Sequence, residues 1–176
     1  MIGLAVFFSD ASLIQSQKSA VNRCIDKAIA ADMLVTTSEQ LQSRTYHFSD
    51  TTSRTISEMP EIETVDEVRV TATEFEGVEV TILAHNMRAY FEISPDLLDV
   101  GDPVTAREIT SKSEGVLISK NMSLRWNVKM GDRLTIRSPK GDIQLPVVGM
   151  LDYFRSENGT IFLERELYKQ YWDDTD

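Results

Sequence analysis

The sequence predicts an α+β fold, and three observations carry that expectation. Two runs alternate apolar and polar side chains: Val65, Val68, Val70 and Ala72, then Val78, Val80, Ile82 and Ala84. Later apolar runs are punctuated by Gly101-Asp102-Pro103, Met130-Gly131-Asp132 and Pro139-Lys140-Gly141-Asp142, which are turn signals. Before, among and after these runs lie stretches whose apolar residues recur at three- and four-residue steps, the helical period.

The elements follow in chain order. Met1–Phe8 is almost wholly apolar and reads either as a buried first strand or as the tail of a membrane helix whose upstream part is missing. Leu13, Ile14, Gln17, Val21, Cys24, Ile25, Ala28 and Ile29 then form one stripe. No Pro or Gly interrupts residues 9–31, so a single helix over about residues 5–30 is expected. Asp32–Thr37 reads as a short strand. Asp50 can cap a helix over Thr51–Met59 that Pro60 ends. The two alternating runs flank Glu76-Gly77 and predict a hairpin, because Gly accepts positive φ. Gly115–Ile118 is a short buried strand, and Ser119 can cap a helix to about Asn127. Arg133–Ile136 and Ile143–Gly149 are strands around the Pro139–Asp142 turn, and these pieces together read as a compact antiparallel unit. Gly159–Leu163 is one more strand, followed by a helix over Glu164–Tyr171. The ending Trp172-Asp-Asp-Thr-Asp176 reads as a cut chain with a solvated acidic tail.

Composition narrows the function. In 176 residues, 18 Lys and Arg stand against 28 Asp and Glu, a net charge of −10. Such a chain lacks the basic face that displaces counterions from nucleic acid. The charge is uneven. Residues 58–79 hold Glu58, Glu61, Glu63, Asp66, Glu67, Glu74, Glu76 and Glu79 against Arg69 alone. Residues 112–140 hold Lys112, Lys120, Arg125, Lys129, Arg133, Arg137 and Lys140 against Glu114 and Asp132. These are two solvated faces, or surfaces that dock lobes or protomers, with Lys120, Arg125, Lys129 and Arg133 as the candidate interaction residues. Glu67 and Arg69 should share one outer face.

Catalytic equipment is sparse. The single Cys24 permits neither an internal disulfide nor a cysteine-based zinc site. His47 and His85 each lie near a polar neighbour and read as satisfied hydrogen-bonders rather than general bases. Neither a phosphate-binding glycine loop nor Gly-x-Ser-x-Gly occurs. Asp173, Asp174 and Asp176 lack a preformed cage for a cation. Trp126 and Trp172 follow helical apolar patterns and should pack in the core. No catalytic residue, metal or cofactor is expected.

The order of motifs resembles a known family. Val116-Leu-Ile-Ser119, a short helix, Gly131-Asp132-Arg-Leu-Thr-Ile136, Pro-Lys-Gly-Asp142, Val147-Val-Gly149, Asp152-Tyr153, Gly159-Thr-Ile-Phe162 and Leu167-Tyr168 follow one another in the second half. In the first half come an apolar helix end, Ala31-Asp32-Met-Leu-Val35, Met59-Pro60-Glu-Ile62 and Val65-Asp-Glu-Val-Arg69. This series is similar to the MacB-like periplasmic core domain of FtsX-like ABC transporter permeases.

The resemblance implies a porter-like lobe (about residues 31–88 and 150–176) carrying an inserted smaller β-rich lobe (about 89–149), with residues 1–30 as a stalk. It implies a non-enzymatic domain at the cell membrane, facing the periplasm or the extracellular side, with no cofactor. Its partners would be a second permease protomer, a cytoplasmic ABC ATPase subunit, and a periplasmic adaptor or exported substrate, but no nucleic acid. Leu13, Ile14, Val21 and Ile25 would pack against the partner stalk or the domain. The domain would couple ATP hydrolysis to transport or mechanical signalling. The alternative from the residues alone is a free-standing module that binds peptide or polysaccharide.

Overall fold

The computed structural model describes residues 30–37, 48–153 and 156–174. The helix expected over residues 5–30, with Cys24, and also His47 lie outside them.

Eleven elements make up the described chain. They are α1 (Asp50–Ser57), β1 (Arg69–Phe75), β2 (Val78–His85), α2 (Met87–Ile93), α3 (Pro103–Ser111), β3 (Val116–Ser119), α4 (Lys120–Trp126), β4 (Arg133–Ile136), β5 (Ile143–Leu151), β6 (Thr160–Glu164) and α5 (Arg165–Trp172). The strands form one six-stranded mixed sheet in the order β1-β2-β6-β3-β5-β4. β1 and β2 are antiparallel, β2 and β6 parallel, β6 and β3 antiparallel, β3 and β5 parallel, and β5 and β4 antiparallel. The fold class is therefore α+β, as the sequence predicts.

Side-chain alternation along the strands separates two cores. Ile82, Ile118, Ile161 and Leu163 face α4 and α5, where Met122, Leu167 and Tyr168 cover them and Trp126 and Trp172 pack alongside. Leu83, Leu117, Leu151 and Phe162 face the opposite way, onto Met87, Tyr90 and Phe91 of α2 and Ala106 of α3. With both faces covered, β3 and β6 are buried along their whole length. The sheet also curls. Thr73 on β1 donates from Oγ1 to the carbonyl of Arg137 beyond β4 at 2.8 Å, and Arg137 pairs with Glu74 at 2.6 Å. The two sheet edges thus meet at one corner, which shields part of each from pairing with another chain.

Several local expectations are corrected. Asp32–Thr37 forms no strand; it is exposed coil with no neighbouring ladder to satisfy its backbone. Ser49, not Asp50, stands at the N-cap of α1, which ends at Ser57, short of Pro60. Val65 and Val68 lie outside β1, because its partner β2 stops at His85 and the chain turns into α2. Arg69 is buried rather than sharing an outer face with Glu67. The Gly101–Pro103 turn opens a helix: Asp102 accepts the Thr105 N–H at 2.8 Å, and Pro103 occupies the first position, where no donor is needed. β3 runs parallel to β5, so the unit is not purely antiparallel. Ser119 precedes α4, but its Oγ accepts the Thr160 N–H at 2.8 Å instead of capping the helix.

Candidate functional site

β2 and β6 run parallel and end together, with His85 opposite Glu164 in the register. The chain then turns into α2 after one strand and directly into α5 after the other. The carboxyl ends of neighbouring parallel strands are where open α/β sheets commonly form clefts. Here a cleft of about 400 Å³ lies against α1, the Val65–Glu67 segment, Asn86 and the start of α5. Its lining is polar and of mixed charge, with Arg54, Arg165 and Lys169 among Glu67, Glu164 and Glu166.

Behind the cleft is a buried ionic cluster. Asp66 accepts from His85 Nδ1 at 2.7 Å and from the Asn86 N–H at 3.1 Å. The His85 ring stacks on Tyr90 with centroids 4.0 Å apart, and its Nε2 is buried without a hydrogen bond among the described residues. Arg69 donates twice to Asp174, and Arg165 Nη1 lies 3.2 Å from the same carboxylate. Arg165 also lies over the Tyr168 ring. Glu164 accepts the Met87 N–H at 3.0 Å and so ties the end of β6 to the start of α2.

Burial pushes the Glu164 carboxyl above the usual carboxylate range, against the opposing pull of the Met87 and Arg165 backbone donors. Burial likewise pushes the Tyr168 phenol up, although a hydrogen bond with Thr71 opposes the shift. The cluster's charges are directed at one another. Its chemistry is that of a brace between β1, β2, α2 and α5, with no nucleophile paired to a base.

The residues predicted from sequence fall elsewhere. Leu13, Ile14, Val21 and Ile25 lie outside the described residues. Lys120 pairs with Asp152 at 3.1 Å and Asp99 at 3.5 Å. Burial would lower the pKa of its ammonium, but the Asp152 hydrogen bond and the two carboxylate charges outweigh that and raise it. Arg125 lies 5.3 Å from the centre of the Trp126 ring. Lys129 and Arg133 are exposed at the entry to β4. Asp173 is exposed and pairs with Lys140 at 2.7 Å, whereas Asp174 joins the buried cluster, which corrects the reading of Asp174 as part of a solvated tail. Sequence reasoning missed Asp66, Glu164, Arg165 and Asp174 as one group. The available signal was charge set in apolar β runs: Arg69 among valines, and Glu164-Arg165 directly after Ile-Phe-Leu.

Two solved domains of ABC-type transporters are similar to this fold. One solved example is the periplasmic region of MacB from Actinobacillus actinomycetemcomitans, with a TM-score of 0.51 and 13% identity over 72% of this chain and 61% of that one. Another is the extracellular domain of the noncanonic ABC-type transporter YknZ from Gram-positive bacteria, with a TM-score of 0.54 and 15% identity over 81% of this chain and 75% of that one. The match thus spans about three fifths of the MacB region. At these identities the likeness establishes the fold. No family model and no curated protein matches the sequence.

Proposed function

We propose that this chain is the extracytoplasmic domain of an ABC transporter permease, held at the cell membrane and facing the periplasm or the extracellular side. The observation that supports this most is the likeness of its fold to two transporter domains of that position, which agrees with the order of motifs along the sequence. On this reading a stalk over about residues 5–30 passes movement from a cytoplasmic ATPase subunit to the outer domain. The domain couples ATP hydrolysis to export or mechanical signalling and catalyses nothing itself. Two protomers pair, Leu13, Ile14, Val21 and Ile25 pack against the partner stalk or the domain, and an adaptor or exported substrate meets the outer face. The lobes at 31–88 with 150–176 and at 89–149 share one sheet through the β6–β3 ladder, where Leu117 and Ile118 register with Phe162 and Ile161, so on this reading they move together.

The test uses the complete gene product in membranes with the ATPase subunit encoded beside it. The two should purify together, and Val21→Pro, which breaks a helix, should leave ATP hydrolysis intact while abolishing transport. Unchanged transport in that variant overturns the stalk role. A complete reading frame without membrane spans overturns the permease reading.

A further inference from the structure

We infer that the cleft beside α1 binds a small zwitterion of amino-acid or dipeptide size, its carboxylate held by Arg54 and Asn86 and its ammonium by Glu67. The charges that line the cleft fall into two groups. Arg165 is turned onto Asp174 and lies over the Tyr168 ring. Glu164 accepts the Met87 N–H. Lys169 lies 3.7 Å from Glu166. These four side chains are taken up within the protein. Arg54 and Glu67 line the same cleft, yet among the described residues they make no ion pair, either with each other or with any other group.

Different parts of the fold present the two. Asp66 turns inward, to His85 Nδ1 at 2.7 Å and the Asn86 N–H at 3.1 Å, while its neighbours Val65 and Glu67 both line the cleft. Arg54 comes from α1 and is exposed. Asn86 supplies a second donor. Its Oδ1 accepts the Ala89 N–H at 3.2 Å at the start of α2, which leaves the Nδ2 hydrogens for a bound carboxylate.

The lining selects the class of ligand. A ligand that displaces water from a cation and an anion must bring the opposite charge to each, or it leaves one desolvated without a partner. A zwitterion does this. A polyphosphate would meet Arg54 but be repelled by Glu67, Glu164 and Glu166. A lipid chain would find Val65 as its one aliphatic contact among polar groups. Among the described residues no aromatic ring lines the cleft, so a sugar would lack a flat apolar face to pack on. The cleft's volume of about 400 Å³ is near the lower end for ligand pockets, about 300–1,000 Å³, so the ligand is short. The inference goes beyond the transporter reading and does not rest on it. Its failure would leave that reading intact, because gene context and purification with an ATPase decide the latter.

The experiment is titration of the whole chain with alanine and with dialanine at neutral pH, read by calorimetry and by amide NMR shifts. Saturable binding is expected, with shifts at Glu67 and Asn86. N-acetyl-dialanine lacks the ammonium and dialanine amide lacks the carboxylate. Each should bind more weakly than dialanine by about tenfold or more, the scale of one charge-assisted hydrogen bond. Arg54→Gln should remove the preference for dialanine over its amide, and Glu67→Gln the preference over the acetylated form. Both variants leave the buried cluster in place and should keep the wild-type circular dichroism. The inference is overturned if neither alanine nor dialanine binds into the millimolar range, or if the blocked forms bind as well as dialanine. It is overturned if the variants bind as the wild type does, or weaken all three dipeptides alike, as a merely structural role would. Binding of cellobiose or pyrophosphate that dialanine does not displace, with shifts at the same amides, would overturn it too.

Discussion

Arg69, the first residue of β1, donates from Nε and Nη2 to the two carboxylate oxygens of Asp174, at 2.6 and 2.9 Å, across 105 positions of sequence. The pair fastens the outer strand of the sheet to the segment that leaves α5. Arg165 shares the same carboxylate, and all three side chains are largely buried, with 6–14% of their surface exposed. Two cations therefore depend on one anion. Removing a buried partner strands its neighbours, at a cost of about 3–5 kcal/mol. Asp174→Asn should accordingly lower the unfolding free energy by about 3 kcal/mol in urea titration. Adding Arg69→Met should recover part of the loss, because one stranded cation is then replaced by an apolar stem of similar length. A loss below about 1 kcal/mol, the range of exposed pairs, would show that this end of the chain is not held in solution.

Asp66 makes a second connection. It holds the irregular segment before β1 to the β2–α2 corner through His85 and the Asn86 amide. Asp66→Ala leaves the buried imidazole N–H without its acceptor, at a cost of about 1–3 kcal/mol, while the exposed Asn86 N–H turns to water. The expected result is a stability loss of about 2 kcal/mol and faster hydrogen exchange at Asn86. Asp66→Asn keeps one carbonyl acceptor and should fall between Ala and wild type. Unchanged exchange at Asn86 in the Ala variant would remove Asp66 from this role.

The hairpin, β3, β4, β5, β6 and α5 were legible in the sequence because each is written locally. Alternation marks β1 and β2, Gly and Pro mark the turns, and helical spacing marks α5. The helices α2 and α3 were not legible. α2 has seven residues, too few for a clear period, and Pro103 reads equally as a turn or a helix start. Sheet order is a tertiary property. That β6 inserts between β2 and β3 is decided by which apolar faces cover one another, and no short spacing records it. The ionic brace was illegible for the same reason. Asp174 sits in an acidic run at a helix end, and only the folded chain brings it to Arg69. His85 was legible as a hydrogen-bonder, since it ends an alternating strand run directly before the polar Asn86.

Glu164 should make stability depend on pH in an identifiable direction. Burial raises its pKa in the folded state, while in the unfolded chain it titrates as an ordinary glutamate. The folded state then binds the proton more tightly than the unfolded state. Its favourable contribution is full below the unfolded pKa and is lost as pH rises through the folded pKa. Glu164→Gln keeps a carbonyl acceptor for the Met87 N–H and does not titrate. Urea titrations of both proteins from pH 4 to pH 7 should therefore show the wild type losing stability relative to Glu164→Gln as pH rises. A difference that is constant, or that moves the other way, would show that Glu164 is not desolvated.

Gly159 and Gly77 make a controlled comparison of backbone strain with steric approach. Both have positive φ, +115° and +78°. Gly77 forms the β1–β2 turn, and a Cβ there would meet nothing within 4 Å. Gly159 precedes β6 where the chain passes over α4, and a Cβ there would lie 2.9 Å from Met122 Cα and closer still to its Cβ. Met122 is fully buried in the core, so it has no room to yield. Gly77→Ala should therefore cost only the backbone term, about 1 kcal/mol. Gly159→Ala adds overpacking of about 1–3 kcal/mol to a larger strain, since φ of +115° lies beyond the left-handed helical well. Thermal unfolding of the two variants should rank Gly159→Ala well below Gly77→Ala. Equal melting temperatures would mean that α4 does not pack against the entry to β6 as closely as the structure places it.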